Sequence, residues 1–169
     1  GTGHAAYCEL NYTPQDSEGK VDISKALEIN ASFEVTLQFW SHLIKTGVLP
    51  TPKEFINRTP HKSFVWGKKN VEFLRKRYEL MSAHHLFEGM EYSEDLAKLT
   101  EWMPLVMAGR NGNEPAAATS VEQGSDVDFG SLARNMVAHL KQQDNFELLL
   151  GHSVDDLKRS STGGWSVLL

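Results

Sequence analysis

Two glycines, a hydroxyl and an imidazole stand together at the start of the chain, in Gly1, Thr2, Gly3 and His4. Because glycine has no Cβ, its backbone can approach a ligand closely. An imidazole can donate or accept a proton near neutral pH. With Ala6, the stretch also matches G-x-G-x-x-A, the pattern that binds the pyrophosphate of a dinucleotide. These residue types indicate a backbone that can lie against a ligand.

The dinucleotide pattern works only between a strand and a helix whose N-terminus holds the pyrophosphate. In this sequence no strand precedes Gly1, and the residues that follow, among them Asn11 and Pro14, do not suit a long helix. We therefore do not interpret the stretch as that fingerprint. A flexible tag is the other interpretation, but the alternation of apolar Cys8, Leu10 and Tyr12 argues against it.

Two further places carry candidate binding residues. His61 follows a proline and opens a predicted strand toward Ser63, although a hydrogen-bonded strand histidine without a ligand is the alternative. Arg110 lies in a glycine-rich loop and is the best placed cation for a carboxylate ligand, because a guanidinium binds a carboxylate with two hydrogen bonds. An exposed loop arginine without a role is the alternative for Arg110.

Several kinds of site are not indicated. Because His84 and His85 are adjacent, we expect their side chains to point apart, and no Cys or His spacing matches a zinc site, so we predict no metal. There is no G-x-S-x-G motif, and Cys8 has no patterned partner for nucleophilic catalysis. The carboxylates between Glu122 and Asp128 could act as acid and base, but capping or solvated roles suit them better.

The chain has 169 residues with 40% hydrophobic and 23% charged residues, which is typical of one soluble globular domain. Its net charge of −5 does not indicate a nucleic-acid partner. The single cysteine, Cys8, fits a reducing compartment. We find no signal peptide and no apolar run approaching the roughly 20 residues of a membrane-spanning helix. Both ends look cut, so we expect a piece of a larger protein.

Periodicity predicts an α+β fold in which helices pack on a mixed or antiparallel sheet. The first helix carries an apolar stripe at spacings of three and four, with Asp22 or Ser24 as its cap and Gly47 after its end. The stripe comprises Ala26, Ile29, Phe33, Leu37, Trp40 and Ile44. A second helix should bury Val71, Leu74, Tyr78 and Met81, and a third should be capped by Ser93 and end near Pro104.

Strands are predicted over residues 61–66, 116–122 and 146–150. Residues 109–115 read as a loop and 124–128 as a turn, after which Asp128 caps a helix. The last part, residues 153–169, reads as a hairpin.

Several short sequence strings, taken in the order in which they occur, resemble stretches of the bacterial malate:quinone oxidoreductase family. The resemblance runs in register from Gly1 to Leu169. It rests on GTGHAA (1–6), ELNYTP (9–14), DISKA (22–26), QFW (38–40), FIN (55–57), PH (60–61), SFVWG (63–67), FEGMEYSED (87–95), PLVM (104–107), GR (109–110) and GSDVDFG (124–130).

The resemblance implies an FAD-dependent enzyme of the tricarboxylic acid cycle that oxidises (S)-malate to oxaloacetate and passes electrons to a membrane quinone. It implies a peripheral protein on the cytoplasmic face of the bacterial inner membrane, and a fold like that of D-amino-acid oxidase. This chain would be a soluble internal fragment without the opening β-α-β unit and the C-terminal half. We expect it to be inactive alone.

The same resemblance implies three segments. Residues 1–20 would be a flavin-contacting turn and linker, 21–123 a portion of the substrate domain, and 124–169 the return to the FAD-binding domain. Two alternatives stay open: an FAD enzyme for another 2-hydroxy acid such as L-2-hydroxyglutarate, and a non-catalytic ligand-binding domain.

Site residues follow from the resemblance in the same way. The stretch from Gly1 to His4 would run beside the flavin, with His4 as the candidate catalytic residue. The backbone at Val154 would meet adenine. His61 and Ser63 would contact substrate from the strand that covers the flavin, and Arg110 would pair with a substrate carboxylate.

Overall fold

A computed structural model describes residues 5–169. It contains five α-helices, α1 to α5, and seven strands, β1 to β7, in that described part. In chain order they are α1 (Ser24–Lys45), β1 (Ile56–Arg58), β2 (His61–Trp66), α2 (Lys68–Ser82), β3 (Glu91–Ser93), α3 (Leu96–Trp102), α4 (Pro104–Met107), β4 (Ala116–Val121), β5 (Ser125–Val127), α5 (Phe129–Leu140), β6 (Asp156–Arg159) and β7 (Trp165–Leu168).

The long helix α1 is confirmed, but Ile23, rather than Asp22 or Ser24, stands at its N-cap position. The Asp22 carboxylate accepts a hydrogen bond from the backbone N–H of Ser24 at 2.8 Å, which satisfies a donor at the helix start. After the last turn, Gly47 has a φ of 78°, a left-handed conformation that glycine adopts without steric cost. Trp40 and Leu43 are buried and pack with Phe55 and Leu132.

The central sheet has three antiparallel strands in the order β2-β4-β3. Its register places His61 opposite Val121 and Trp66 opposite Ala116. Strand β4 lies in the middle and all six of its residues are buried, which the small side chains of Ala117 and Ala118 permit. Two separate pairs, β1 with β5 and β6 with β7, are also antiparallel. The α+β class is therefore confirmed, with antiparallel pairing throughout the described strands.

The two faces of β2 meet different elements, because successive side chains of a strand alternate. Val65 packs with Val71 and Leu74 of α2 on one face. Phe64 packs with Leu99 of α3 and Met107 of α4 on the other. This alternation decides which candidate residues can meet.

Two further sequence expectations about elements are wrong. Asp95, rather than Ser93, caps α3, and its side chain accepts from the N–H of Ala97, while Ser93 ends strand β3. The expected end of α3 near Pro104 is confirmed, because α3 ends at Trp102 and Pro104 begins the separate short helix α4, a position where its missing N–H costs nothing. Residues 124–128 are not only a turn, since Ser125–Val127 forms β5 by pairing with β1.

Residues 146–150 form no strand, which corrects another expectation. Leu149 and Leu150 are exposed, and none of the described strands pairs with them. An apolar run becomes a strand only where a partner supplies the ladder of hydrogen bonds. The hairpin predicted after it is confirmed as β6 and β7, with Asp156 opposite Leu168.

Within residues 5–169, no helix is both long enough and apolar enough to cross a membrane. The same residues include no group of three or more His, Cys, Asp and Glu side chains arranged to hold a metal ion.

Candidate functional site

The predicted cofactor-side residues Gly1, Thr2, Gly3 and His4 lie outside the described residues. The description begins at Ala5, directly after them. We call residues 5–8 the anchored segment, because each of its four carbonyl oxygens accepts a hydrogen bond from a side chain of another element.

Three elements supply those donors. Asn30 of α1 is buried, and its Nδ2 donates to the carbonyl of Ala5 at 2.9 Å. Arg77 of α2 donates through Nη2 to the next two carbonyls, at 3.4 and 3.0 Å. Ser63 of β2 donates through Oγ to the carbonyl of Cys8 at 2.9 Å. The backbone directly after Gly1–His4 in the chain is therefore held by side chains from two helices and one strand.

Arg77 is, like Asn30, a donor with no exposed surface. Its Nε also donates to the Thr13 hydroxyl at 3.0 Å. Burial lowers the pKa of Arg77 to about 10, while electrostatic interactions with Cys8 and Glu9 oppose that change. The guanidinium therefore stays protonated at neutral pH, although taking a charge out of water is costly.

Ala6 has a left-handed backbone, with a φ of 56°, and is completely buried. A non-glycine residue pays a steric penalty there, since its Cβ approaches the following carbonyl oxygen. Such a conformation persists only where the surroundings hold it. The hydrogen bonds that the carbonyls of Ala5, Ala6 and Tyr7 accept provide that constraint.

His61 begins β2 and lies beside the anchored segment. Its ring meets that of Tyr7 edge to face, with centroids 6.1 Å apart. Nε2 lies 3.2 Å from the carbonyl oxygen of Ser125. Because a carbonyl only accepts, Nε2 carries the hydrogen and Nδ1 keeps its lone pair in the neutral ring. Nδ1 is buried and has no hydrogen-bond partner among the described residues.

Burial also raises two pKa values in the anchored segment. The pKa of the Tyr7 phenol is raised mainly by burial. The pKa of the Cys8 thiol rises to about 11, first because of burial and then because of the neighbouring Glu9 carboxylate. Both groups therefore stay neutral at physiological pH.

The structure brings His61 and Ser63 together but places Arg110 elsewhere. Arg110 donates through Nε to the carbonyl of Val106 at 3.1 Å, and its guanidinium lies over Phe64 and Trp66, at 4.9 and 5.5 Å from their ring centroids. Those two rings belong to the opposite face of β2 from His61 and Ser63. Val154 is exposed and lies between α5 and β6.

Sequence reasoning missed Arg77 and Asn30. A signal existed for Arg77, because it follows Leu74 by three residues and precedes Met81 by four, which places it on the buried stripe of α2. An arginine at an apolar stripe position indicates a buried guanidinium with fixed partners. Asn30 offers a similar signal, since it lies four residues after Ala26 on α1.

The part of the chain that the structure describes carries several surface grooves. Five grooves have volumes of about 290 to 610 Å³, and none of these five is lined by His61, Ser63, Arg110 or Val154. The anchored segment differs from these grooves. Ala5 and Ala6 are small and buried, and the carbonyls of residues 5–8 are fixed by side chains of three elements, so the segment is rigid in the way that binding sites require.

Comparisons with known proteins point to one family over the whole length of the chain. A family model described as malate:quinone oxidoreductase matches residues 1–169. A probable malate:quinone oxidoreductase of Hahella chejuensis is 61% identical over 169 residues, which are 100% of this chain and 34% of that protein. One of Methylobacillus flagellatus is 60% identical over 167 residues, covering 99% and 34%. One of Exiguobacterium sibiricum is 56% identical over 167 residues, covering 99% and 33%.

The chain thus spans about a third of the length of the curated relatives it matches. The similarity extends through the anchored segment, β2 and the hairpin alike, because the matches cover at least 99% of the chain. This chain belongs to the malate:quinone oxidoreductase family.

Proposed function

We propose that this chain is an internal part of an enzyme that oxidises (S)-malate to oxaloacetate and passes the electrons through FAD to a membrane quinone, as part of the tricarboxylic acid cycle. The observation that carries the proposal is the match of the family model to residues 1–169, together with 61% identity to a relative of that name. The proposal includes a D-amino-acid-oxidase-like fold and peripheral attachment to the cytoplasmic face of the inner membrane.

The anchored segment supports a cofactor role for Gly1, Thr2, Gly3 and His4. Glycines allow backbone to approach a cofactor, and the residues directly after them are held by Asn30, Arg77 and Ser63. A bound flavin supplies a two-electron acceptor, which amino-acid side chains lack. We assign the glycine stretch to the flavin side, and the backbone at Val154 to the adenine side.

Oxidation of malate at C2 requires a base for the hydroxyl proton when the hydride leaves. His4 is the candidate, because an imidazole changes its charge near neutral pH. His61 is the second imidazole near this region, and its Nδ1 carries the lone pair that could accept a hydrogen bond from substrate. Ser63 lies two residues further along the same face of β2.

Arg110 fits the substrate proposal less directly. A single malate molecule cannot contact His61, Ser63 and Arg110 at once if they lie on opposite faces of the sheet, since β2 separates them. A role for Arg110 as carboxylate partner would therefore need malate to bind on the Phe64 face. The effects of substituting His61 and Arg110 on the KM for malate therefore distinguish the two faces.

The decisive experiment uses the full-length protein that contains this chain, purified with FAD. We expect stoichiometric flavin and reduction of a quinone analogue by malate. Rapid reduction by L-2-hydroxyglutarate, with none by malate, would replace the substrate assignment. A full-length protein without bound flavin and without either activity would instead support a non-catalytic binding domain.

The same preparation tests the two faces. We expect His61→Gln to raise the KM for malate more than Arg110→Gln does. Lys25→Gln is a matched control, because Lys25 is an exposed surface residue paired only with Glu28. The reverse order of KM values would move the malate site to the Phe64 face.

A further inference from the structure

We propose that one exposed face of this chain is the surface by which the full-length enzyme lies on an anionic phospholipid bilayer. We call it the α4 face; its apolar members are Leu96, Leu105, Val106 and Trp66, and Arg110 lies beside the last two. The inference rests on the proposed function, which places the enzyme at a membrane but assigns no residues to the contact. Arg110 meets lipid phosphates in this proposal, rather than malate.

The first support is the exposure of large apolar side chains on the α4 face. Leu105 is 91% exposed, and the other three apolar members are each 42 to 50% exposed. Met107 of the same short helix is buried in the core, so α4 is held in place while Leu105 projects outward. Neighbouring exposed apolar groups indicate a binding surface, because water solvates them poorly.

Arg110 joins the members of the α4 face into one patch. Its Nε donates to the carbonyl of Val106 at 3.1 Å, and its guanidinium lies 5.5 Å from the ring centroid of Trp66. Two residues further along, a Cβ built on Gly112 would come within 2.7 Å of Leu96 Cδ1, so this loop lies against α3. The apolar groups therefore surround a cation.

The second support is the position of further cations at the border of the α4 face. Lys98 Nζ lies 5.3 Å from the ring centroid of Trp102. Lys62 Nζ donates to the carbonyl of Trp102 at 2.7 Å, so two lysines flank this tryptophan. Aromatic rings with adjacent cations suit the headgroup region of a bilayer, where the rings lie at the border of the acyl chains and the cations meet phosphate.

The charge of the α4 face is complementary to an anionic surface. Lys62, Lys98 and Arg110 outnumber the two carboxylates beside them, although the whole chain carries a net charge of −5. Of those carboxylates, Glu101 pairs with Lys98 at 3.3 Å, and Glu114 lies at the edge of the face. The local charge therefore favours a negatively charged partner, which the chain as a whole does not.

The rest of the full-length chain is the main alternative occupant of this face. Such an interface would take Arg110 and Lys98 out of water, which is costly unless each cation finds an anionic partner. At a bilayer the lipid phosphates are those partners, while Leu105 enters the acyl region. The hairpin β6–β7 also exposes apolar groups, but no described cation lies on the ring of Trp165, so it lacks this combination.

The test uses the full-length protein with FAD and measures its cosedimentation with vesicles of phosphatidylglycerol and phosphatidylcholine. Leu105→Ser removes the most exposed apolar group of the face. Val35→Ser is its matched control, because Val35 is an exposed apolar residue of α1, which forms no part of the α4 face. Arg110→Gln is compared with Lys25→Gln on the same vesicles and on vesicles of phosphatidylcholine alone. Reduction of the bound flavin by malate, without quinone, is measured for the Leu105 and Val35 variants.

We expect Leu105→Ser to weaken binding to the anionic vesicles at least about 10-fold, while malate still reduces its flavin at the wild-type rate. Arg110→Gln should weaken binding to these vesicles about 5-fold and change binding to phosphatidylcholine little. Added salt should weaken the wild type more than Arg110→Gln, since salt screens the attraction that the variant has lost. Val35→Ser and Lys25→Gln should bind as the wild type does.

Several results would overturn the proposal. One is equal vesicle binding by Leu105→Ser and Val35→Ser. Another is a Leu105→Ser protein that fails to fold or loses its flavin, because the rest of the chain would then cover Leu105. Conversion of a dimer to a monomer by Leu105→Ser, with vesicle binding retained, would assign the face to a second copy instead.

Failure of the proposed function would look different from failure of this inference. A wild-type protein that lacks flavin or malate oxidation, but binds vesicles through Leu105, would contradict the function and leave the surface assigned. A wild-type protein that reduces quinone with malate, but does not bind the anionic vesicles, would overturn only the inference.

Discussion

Gly124 lies directly against the imidazole of His61, with no room for a side chain between them. A Cβ built on Gly124 would come within 2.6 Å of His61 Cδ2 and would also collide with the carbonyl oxygen of Thr59. The Thr59 N–H in turn donates to the Gly124 carbonyl at 2.8 Å. This contact joins the β1–β2 connection to the β4–β5 turn and fixes the Cγ–Cδ2 edge of the His61 ring.

Gly124→Ala should therefore destabilise the protein by about 1–3 kcal/mol, the usual cost of overpacking. The Thr59 oxygen belongs to the backbone, so it cannot swing away as a side chain could. Gly130→Ala in α5 is the control, because its nearest neighbours are the ends of the Arg134 and Asp128 side chains at 3.1 Å. Urea unfolding measures both changes, and equal stability for the two variants would refute the contact.

Removing the hydroxyl of Ser63 should cost about 1–3 kcal/mol, because the partly buried carbonyl of Cys8 loses its donor. Ser32→Ala on the exposed face of α1 is the control and should change stability little. If Ser63 also contacts malate in the full-length enzyme, Ser63→Ala raises the KM for malate as well. A loss of stability with an unchanged KM would assign Ser63 a purely structural role.

Cys8 should react slowly with alkylating reagents in the folded protein. Its pKa is raised to about 11 from 9.0, and only the thiolate reacts. At pH 8 the thiolate fraction should fall about 100-fold below that of an unfolded chain, since each pKa unit is a factor of ten. Iodoacetamide labelling followed by mass spectrometry, with and without urea, measures the ratio.

The same shift predicts how stability depends on pH. The folded state holds the thiol proton more tightly than the unfolded state does. The contribution of Cys8 is therefore fully present below about pH 9 and is lost as the pH rises through about 11. Cys8→Ser should flatten this dependence, and a Cys8→Ser protein with an unchanged alkaline profile would contradict the shift.

Asp128 should stabilise α5 in a pH-dependent way. Its pKa is lowered first by the Ser131 hydroxyl and then by the Ser131 backbone N–H, which donates at 2.9 Å. A lowered carboxyl pKa gives stability that is present above the unfolded pKa and is lost as the pH falls through the folded one. Asp128→Ala should therefore have a lower Tm than the wild type at pH 7, and this difference in Tm should disappear in acid.

Two variants make the Asp128 result specific. Asp128→Asn keeps an acceptor for the helix N-terminus but cannot titrate, so its Tm should exceed that of Asp128→Ala and depend less on pH. Asp144→Ala removes an exposed carboxylate that follows the same helix, and it should leave the acid profile unchanged. A constant Tm deficit for Asp128→Ala down to pH 2 would exclude the charge as its cause.

Features encoded over a few residues were predictable. The stripe of α1, the cap at Asp128 and the final hairpin depend on spacings within one element or one turn, and each is confirmed. Expectations failed where a partner decides the outcome. Residues 146–150 have the composition of a strand but no described strand beside them, while Ser125–Val127 becomes a strand because β1 pairs with it.

By itself, the sequence determined the α+β class, most helices and strands, and a family resemblance that comparison confirmed. Only the tertiary structure decided which candidates meet. Ser63 reaches Cys8 across 55 residues and Arg77 reaches Tyr7 across 70, while strand alternation sends Arg110 to the other face. Local propensity acts over one or two turns of chain, whereas these contacts arise from burial and hydrogen bonding between distant segments.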